Sequence, residues 1–401
     1  MIPYGRHHID EDDVQAVAEV MRGELITQGP QAAAFERLVA DYVGARYAVS
    51  VANGTAALHL ACLALGLGPG DTVLTTPNTF LASANCALYV GARPAFSDID
   101  PETLNLGLQA LRDAFRTQAG IKAVIPVHFA GLPCDMAAIS EIARANGASV
   151  IEDACHALGA HYADGSRVGN CRYADMCTFS FHPVKLIAAG EGGMVTTNDE
   201  SLYRKLLLLR NHGMTKVPSD FVEETEGFEQ GEPNPWYYEM QALGLNYRMT
   251  DIQCALAISQ FKKLDRFLSR RLEIARRYDA VFDGMEAIAL PQRRDRERSA
   301  HHLYITRMDF RRIGLTRGQM MLALRERGIG SQVHYIPVPY QPYYRQKGLA
   351  QGSWPHAEHY YREALTIPLY FGMSDANVAT VITGVTDLVS GAQRRALSAS
   401  G

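Results

Sequence analysis

The chain has 401 residues, 47% of them hydrophobic and 20% charged, enough for two domains or for one large domain with an extension. Its 39 Lys and Arg against 43 Asp and Glu leave a formal net charge of -4, and no basic run exceeds three residues, which argues against nucleic acid as a partner. Small polar metabolites are the expected partners, and no stretch approaches the roughly 20 apolar residues that a membrane-crossing helix needs.

Met1 to Asp13 lacks a basic start followed by an apolar core, so the expected location is cytoplasmic. The cysteines at positions 62, 86, 134, 155, 171, 177 and 254 are odd in number and contain no C-x-x-C pair, which predicts reduced thiols. His7-His8 and His301-His302 are adjacent rather than at helical spacing, and no metal is expected.

In chain order, the pattern predicts a helix from Asp10 to about Arg22, with Asp10 as N-cap and Val14, Val17, Ala18 and Met21 as its apolar stripe. Gly23 to Pro30 has no period and reads as a loop, and Gln31 to Tyr42 is helical again. From Tyr47 short apolar runs alternate with helical patterns. Strands are expected at Tyr47–Val51, Thr72–Thr75, Pro94–Phe96, Ala123–Val127, Ser149–Glu152, Met176–Phe181 and Met194–Thr197. Helices are expected at Thr55–Leu65, Phe80–Tyr89, Gly107–Thr117, Met136–Ala145 and Ser201–Asn211. This alternation predicts an α/β fold with a mostly parallel sheet, whose ligands lie at the carboxyl ends of the strands. Residues 217 to 240 read as a long surface excursion. One long helix from Asp251 to about Tyr278, with Ile252, Ala255, Leu256, Ser259 and Leu264 on one face, is expected to lead into a smaller α+β domain. The last residues, Gly391 to Gly401, read as a frayed end.

Three motifs bear chemistry. Asn53-Gly54-Thr55 lies where the first strand meets the first helix of the alternation, a place suited either to a phosphate or to a plain capping turn. Asp153, in Ile151-Glu152-Asp153-Ala154-Cys155-His156, ends a strand, where a carboxylate can hold a proton on a pyridine nitrogen or cap a helix. Lys185, in Phe179-Ser180-Phe181-His182-Pro183-Val184-Lys185, sits at a bend ahead of Gly190-Glu191-Gly192-Gly193. A desolvated lysine facing an aldehyde can form a Schiff base, the usual anchor of pyridoxal phosphate, whereas a lysine taken alone reads as a solvated surface residue. The three in this order on a β/α sheet are more specific than any one alone.

The segments GTAALHLACLALGLGPGDTVLTTPNTF, VIEDACHALGA, FSFHPVK, GEGG and GLNYRMTDIQCALAISQ resemble the DegT/StrS family of pyridoxal-phosphate sugar aminotransferases over nearly the whole chain. Within it, the ITQGP loop and the SQVHYIPV segment look closest to the branch serving pseudaminic acid biosynthesis, which acts on a UDP-4-keto-6-deoxy-N-acetyl-altrosamine. The resemblance implies an aspartate-aminotransferase-like fold (PLP fold type I), with a large domain over 1–250 and a smaller C-terminal α+β domain over 251–401. It further implies a homodimer, pyridoxal 5'-phosphate as cofactor, and L-glutamate as amino donor to a UDP-linked 4-keto-6-deoxy sugar. By position, it makes Lys185 the Schiff-base lysine and proton shuttle and Asp153 the partner of the pyridine nitrogen. Gly54, Thr55 and Ser180 would hold the phosphate, Phe80 would stack on the ring, and His156 would lie near it. Asn246 would reach the neighbouring subunit's cofactor. Tyr4, the loop residues Glu24, Leu25, Ile26 and Thr27, and Val333, His334, Tyr335 and Ile336 would contact the nucleotide sugar. Ala188-Ala189 departs from the hydroxyl residues usual before the GEGG turn. The alternatives are a sibling enzyme making perosamine, bacillosamine or a 3-amino sugar, a dehydratase on the same frame, in which the lysine is typically histidine, and a non-catalytic regulator binding the cofactor or a sugar.

Overall fold

The computed structural model describes residues 1–399. Seven strands form the main sheet: β1 (Tyr47–Val51), β2 (Thr72–Thr75), β3 (Arg93–Phe96), β4 (Ile121–Ile125), β5 (Ser149–Asp153), β6 (Met176–Ser180) and β7 (Gly193–Thr197). Their order is β1-β7-β6-β5-β4-β2-β3, and β7 alone runs antiparallel to its neighbours. The expected strands are all present, displaced by at most two residues at their ends. Their residues are apolar on both faces because both faces are covered. One core joins Val124, Val150, Phe179 and Met194 to Phe35 and Val39; the other joins Val49, Ile125, Ile151 and Val195 to Leu58 and Leu206.

After α1 (Glu11–Arg22), the covering helices are α2 (Pro30–Val43), α3 (Gly54–Ala64), α4 (Ala82–Tyr89), α5 (Leu108–Thr117), α6 (Met136–Ala145) and α7 (Glu200–Arg210). Asp10 caps α1 in a reciprocal box with Asp13. The apolar stripe expected on α1 is wrong, since Val14 is 51% and Met21 64% exposed while Asp13 is fully buried. Asp13 is held there by the Lys263 ammonium at 2.9 Å and the Gln260 amide at 2.7 Å, partners some 250 residues away that no local period reveals.

The excursion after α7 is organised as a chain of small elements. These are β8 (Met214–Thr215), α8 (Glu224–Gly227), the hairpin β9 (Phe228–Glu229) and β10 (Glu232–Pro233), and β11 (Glu239–Met240), which pairs back onto β8. The single long helix expected from Asp251 is two, α9 (Asp251–Phe261) and α10 (Leu264–Phe282). The break at Lys262-Lys263 places the Lys263 ammonium on Asp10 and Asp13.

Beyond it lie β12 (Ile288–Ala289), β13 (Tyr304–Met308), α11 (Phe310–Ile313), α12 (Arg317–Glu326), α13 (Pro342–Gln346), α14 (Pro355–Glu363), β14 (Ala364–Ile367) and α15 (Asp375–Ala399). The strands form an antiparallel sheet in the order β12-β13-β14. Cys254, Ala257, Phe261 and Phe267 belong to the core of the main sheet, whereas Ile274, Tyr278 and Phe282 pack with Tyr304, Val381 and Val385. We propose, on that packing, a domain boundary within α10 rather than at residue 251. The frayed end expected from Gly391 is helical backbone as far as Ala399, and residues 400–401 lie outside the described residues. No helix among the described residues is long and apolar enough to cross a membrane.

Candidate active site

A cavity of about 650 Å³ opens at the carboxyl ends of the parallel strands, bounded on its far side by residues 332–336 and by Tyr4. Lys185 enters it from the connection between β6 and β7. Ser180 ends β6, and the chain then turns, with the Lys185 amide donating to the His182 carbonyl at 2.8 Å. The loop closes where Phe181 N–H donates to Gly192 O and Ala189 N–H to Phe181 O, each at 2.8 Å. Gly193 must be glycine, because a Cβ there would lie 2.4 Å from the Asn53 carbonyl oxygen. That contact brings the start of β7 against the start of α3 and so fixes the lysine loop beside the Asn53 turn. Burial lowers the Lys185 pKa from its ordinary value, with Cys155 and Asp153 opposing.

Asp153 is 5% exposed, and its carboxylate faces the same cavity. Its backbone is tied to the neighbouring strand end, N–H to Pro126 O at 2.9 Å and C=O from His128 N–H at 3.1 Å. Its side chain accepts from Cys155 N–H at 3.1 Å and from the Ser83 hydroxyl at 2.6 Å. No helix follows, so Asp153 is not a helix cap.

Asn53 does cap α3, its side chain accepting from Ala56 N–H at 2.8 Å. This leaves the Gly54 and Thr55 amides in the first turn, where helix N–H groups lack intrahelical acceptors and attract anions. A Cβ on Gly54 would meet Ser180 Cβ at 2.9 Å and Cys155 Sγ at 3.2 Å. The space beside the Gly54 backbone is therefore too narrow for a side chain. Together with a lysine and a buried carboxylate on the same cavity, these residues fit pyridoxal phosphate.

The remaining wall is aromatic. Phe80 is 56% exposed at the cavity mouth, 6.2 Å from the Tyr335 ring. His156 and His302 lie 4.4 Å apart, and His156 Nε2 is 3.2 Å from the Tyr335 hydroxyl. His334 pairs through Nδ1 with the Thr366 hydroxyl at 2.9 Å. Burial, with the Lys185 charge adding to it, lowers the pKa of His156 and His302 far below the ordinary imidazole value and that of His334 to about 3. All three are neutral at physiological pH, so this wall is polar without charge.

Of the residues expected at the site, Tyr4, Gly54, Thr55, Phe80, Asp153, His156, Ser180, Lys185 and Val333 to Ile336 line this one cavity. Five do not. Glu24 and Leu25 line a separate cleft of about 810 Å³ beside α1 and α9, Ile26 and Thr27 continue that loop, and Asn246 is exposed, bridged to Asn211. Ala188 and Ala189, in the same loop, are buried and do not line the cavity, so the departure from the hydroxyl pattern does not touch its walls. Sequence reasoning missed Ser83, Thr79, Cys155, Glu191, His302 and Gln332, which also line it. For Ser83 and Thr79 the available signal was a pair of hydroxyls four apart near the expected start of α4.

This strand-end cavity, with a loop lysine, a buried acid and a helix amino end on a mostly parallel α/β sheet, defines a pyridoxal-phosphate-dependent enzyme. Residues 7–386 match the model of the DegT/DnrJ/EryC1/StrS aminotransferase family, and the chain belongs to that family. It is 41% identical over 393 residues to the spore coat polysaccharide biosynthesis protein SpsC of Bacillus subtilis (strain 168), covering 98% of each chain. Among solved structures it is similar to Helicobacter pylori PseC, an aminotransferase involved in the biosynthesis of pseudoaminic acid (TM-score 0.88, 28% identity, 97% of this chain and 99% of that one). It is also similar to Streptococcus pneumoniae Spr1654 in its PLP form (TM-score 0.86, 28% identity, 98% of this chain and 99% of that one). The protein is thus a PLP-dependent sugar aminotransferase with an aspartate-aminotransferase-like fold.

Proposed function

We propose that the protein transfers an amino group from L-glutamate to C4 of a UDP-linked 4-keto-6-deoxy-N-acetyl-hexosamine, the step that yields UDP-4-amino-4,6-dideoxy-N-acetyl-β-L-altrosamine on the pseudaminic acid route. We propose further that it acts in the cytoplasm as a homodimer. The observation that carries the reading is the wall formed by Tyr4 and Val333 to Ile336 across the cavity from Lys185, in a protein similar to PseC along its length. A wall of neutral histidines and tyrosine hydroxyls suits the hydroxyl, carbonyl and amide groups of a sugar better than it suits an anion.

Bound in the cavity, pyridoxal phosphate supplies an aldehyde carbon and an electron-withdrawing ring. The Lys185 amine, whose burial raises the fraction of free base, would hold the cofactor through that carbon and, once displaced by the substrate amine, would carry the proton to and from the substrate carbon. Asp153 would hold a proton at the ring nitrogen, Phe80 would stack on the ring, and His156 would lie near it. The amides of Gly54 and Thr55 and the Ser180 hydroxyl would hold the phosphate. Asn246 would reach the neighbouring subunit's cofactor.

The test is a direct assay of purified protein with pyridoxal phosphate and glutamate against UDP-, dTDP- and GDP-linked 4-keto-6-deoxy sugars. The altrosamine derivative on UDP is expected to have the highest kcat/KM. A higher value for its gluco epimer, or for another nucleotide, would move the chain to another branch of the family.

A further inference from the structure

Asp153 cannot rely on water for the solvation of its charge, because it is almost fully buried. Its side-chain partners are Cys155 N–H and the Ser83 hydroxyl, and the Ser83 contact, at 2.6 Å, has the length of a charge-assisted bond. Ser83 is itself fully buried and lies 2.8 Å from the hydroxyl of Thr79, which is 2% exposed. An ionised carboxylate only accepts, so the Ser83 proton must point to Asp153, and the Thr79 proton must then point to Ser83. The two hydroxyls form a one-way chain ending on the carboxylate, each bond polarising the next. Phe80 lies between these hydroxyls in sequence, so one short stretch carries both the ring-stacking side chain and the donors that orient the acid.

We infer that Ser83, backed by Thr79, is a positioning residue that keeps the Asp153 carboxylate aimed at the ring nitrogen of the cofactor. The inference rests on the role proposed for Asp153. Without the Ser83 donor the carboxylate is less well stabilised, the ring nitrogen keeps its proton less firmly, and the ring withdraws electrons less. Cofactor binding survives, because the Gly54 cradle and Lys185 are untouched.

The experiment is a double-mutant cycle of Ser83→Ala and Asp153→Asn, read by the pH at which the visible absorbance band of the pyridoxal phosphate-loaded enzyme titrates, and by kcat. Asp153→Asn is expected to raise that titration point, since a less cationic ring lets the imine nitrogen keep its proton to higher pH. Ser83→Ala should raise it in the same direction by about one pH unit and lower kcat roughly tenfold, the scale of one lost hydrogen bond to a charged group. Ser83→Cys, close in size but a weaker donor, should fall between Ser83→Ala and the wild type. In the Asp153→Asn background Ser83→Ala should add nothing. An equal shift in both backgrounds would overturn the inference, as would no shift from Ser83→Ala while Asp153→Asn gives one. No shift from Asp153→Asn itself would instead remove the role proposed for Asp153. Unchanged melting temperatures set a spectral change apart from a loss of packing.

Discussion

Gly54→Ala separates what the Asn53 turn does for the fold from what it does for the cofactor. Gly54 opens α3, and its φ lies outside the left-handed region, so alanine is sterically allowed by the backbone. Alanine is favoured over glycine in helix interiors by about 1 kcal/mol, and by less in a first turn. Against this, the added methyl lies 2.9 Å from Ser180 Cβ and 3.2 Å from Cys155 Sγ, closer than packed carbon and sulfur atoms tolerate. Overpacking of this kind costs about 1–3 kcal/mol, so the net stability loss of the apoprotein should be about 1–2 kcal/mol. Moving the start of α3 away from Ser180 would relieve the strain and would separate the two sides of the proposed phosphate site. Losing one hydrogen bond to a charged phosphate costs about 1.5–3 kcal/mol, a weakening of cofactor binding by roughly 10- to 100-fold. Titration of apoprotein with pyridoxal phosphate, followed by visible absorbance, measures the second effect, and thermal melting of the apoprotein measures the first. Gly284→Ala is the control, because a Cβ there meets nothing within 4 Å. Wild-type cofactor affinity in Gly54→Ala, alongside the expected loss of melting temperature, would show that the turn only packs.

Lys185→Ala should abolish turnover while leaving the melting temperature of the apoprotein nearly unchanged, since the side chain enters the cavity rather than a core; substantial turnover would remove the assignment of the lysine. The folded-state pKa of His334 is depressed from 6.5 to about 3, so between these values the unfolded chain binds a proton that the native protein does not, and stability falls as pH drops below 6.5. At pH 5.5 this residue should lower stability by about 1.4 kcal/mol relative to pH 7.5. Denaturant unfolding of apo His334→Asn, compared with wild type at the two pH values, should show that increment missing; identical pH dependences would mean that His334 titrates normally in the fold.

The β/α frame was legible because its strands are buried on both faces and therefore read as short, nearly unbroken apolar runs, bounded by glycine, asparagine or proline. The strand-end acid, the lysine loop and the Asn53 turn were legible for a related reason: each sits where an apolar run stops. What failed depends on partners remote in sequence. The inner face of α1 was misread because Asp13 is buried by Lys263 and Gln260. The division of α9 from α10 was missed because Lys262-Lys263 interrupts a pattern whose apolar spacing continues across the break. Ser83 gave no sign of its partner, since the Asp153 carboxylate that it meets lies 70 positions further on.

The site in one chain is also short of positive charge, and this bears on the residues that lie outside it. Lys185 is the sole Lys or Arg among the described residues lining the cavity, where Asp153 and Glu191 are acidic, while a cofactor phosphate and a nucleotide diphosphate bring several negative charges. Asn246 stands on the surface near Arg248, and Trp236, Tyr238, Met240 and Leu243, a few positions before it, are 54–84% exposed, apolar surface that a partner would cover. If a second copy covers this face, its Asn246 acts in the neighbouring site, and a two-fold dimer holds two identical shared sites. Lys185→Ala and a disruptive Asn246 replacement should then each be weak alone. In a mixed dimer both lesions fall in one site and the other is whole, so an equal mixture that has exchanged subunits should recover about a quarter of wild-type activity, from half of the dimers each with one working site. No recovery, with subunit exchange demonstrated and each parent clearly impaired, would mean that Asn246 serves its own chain.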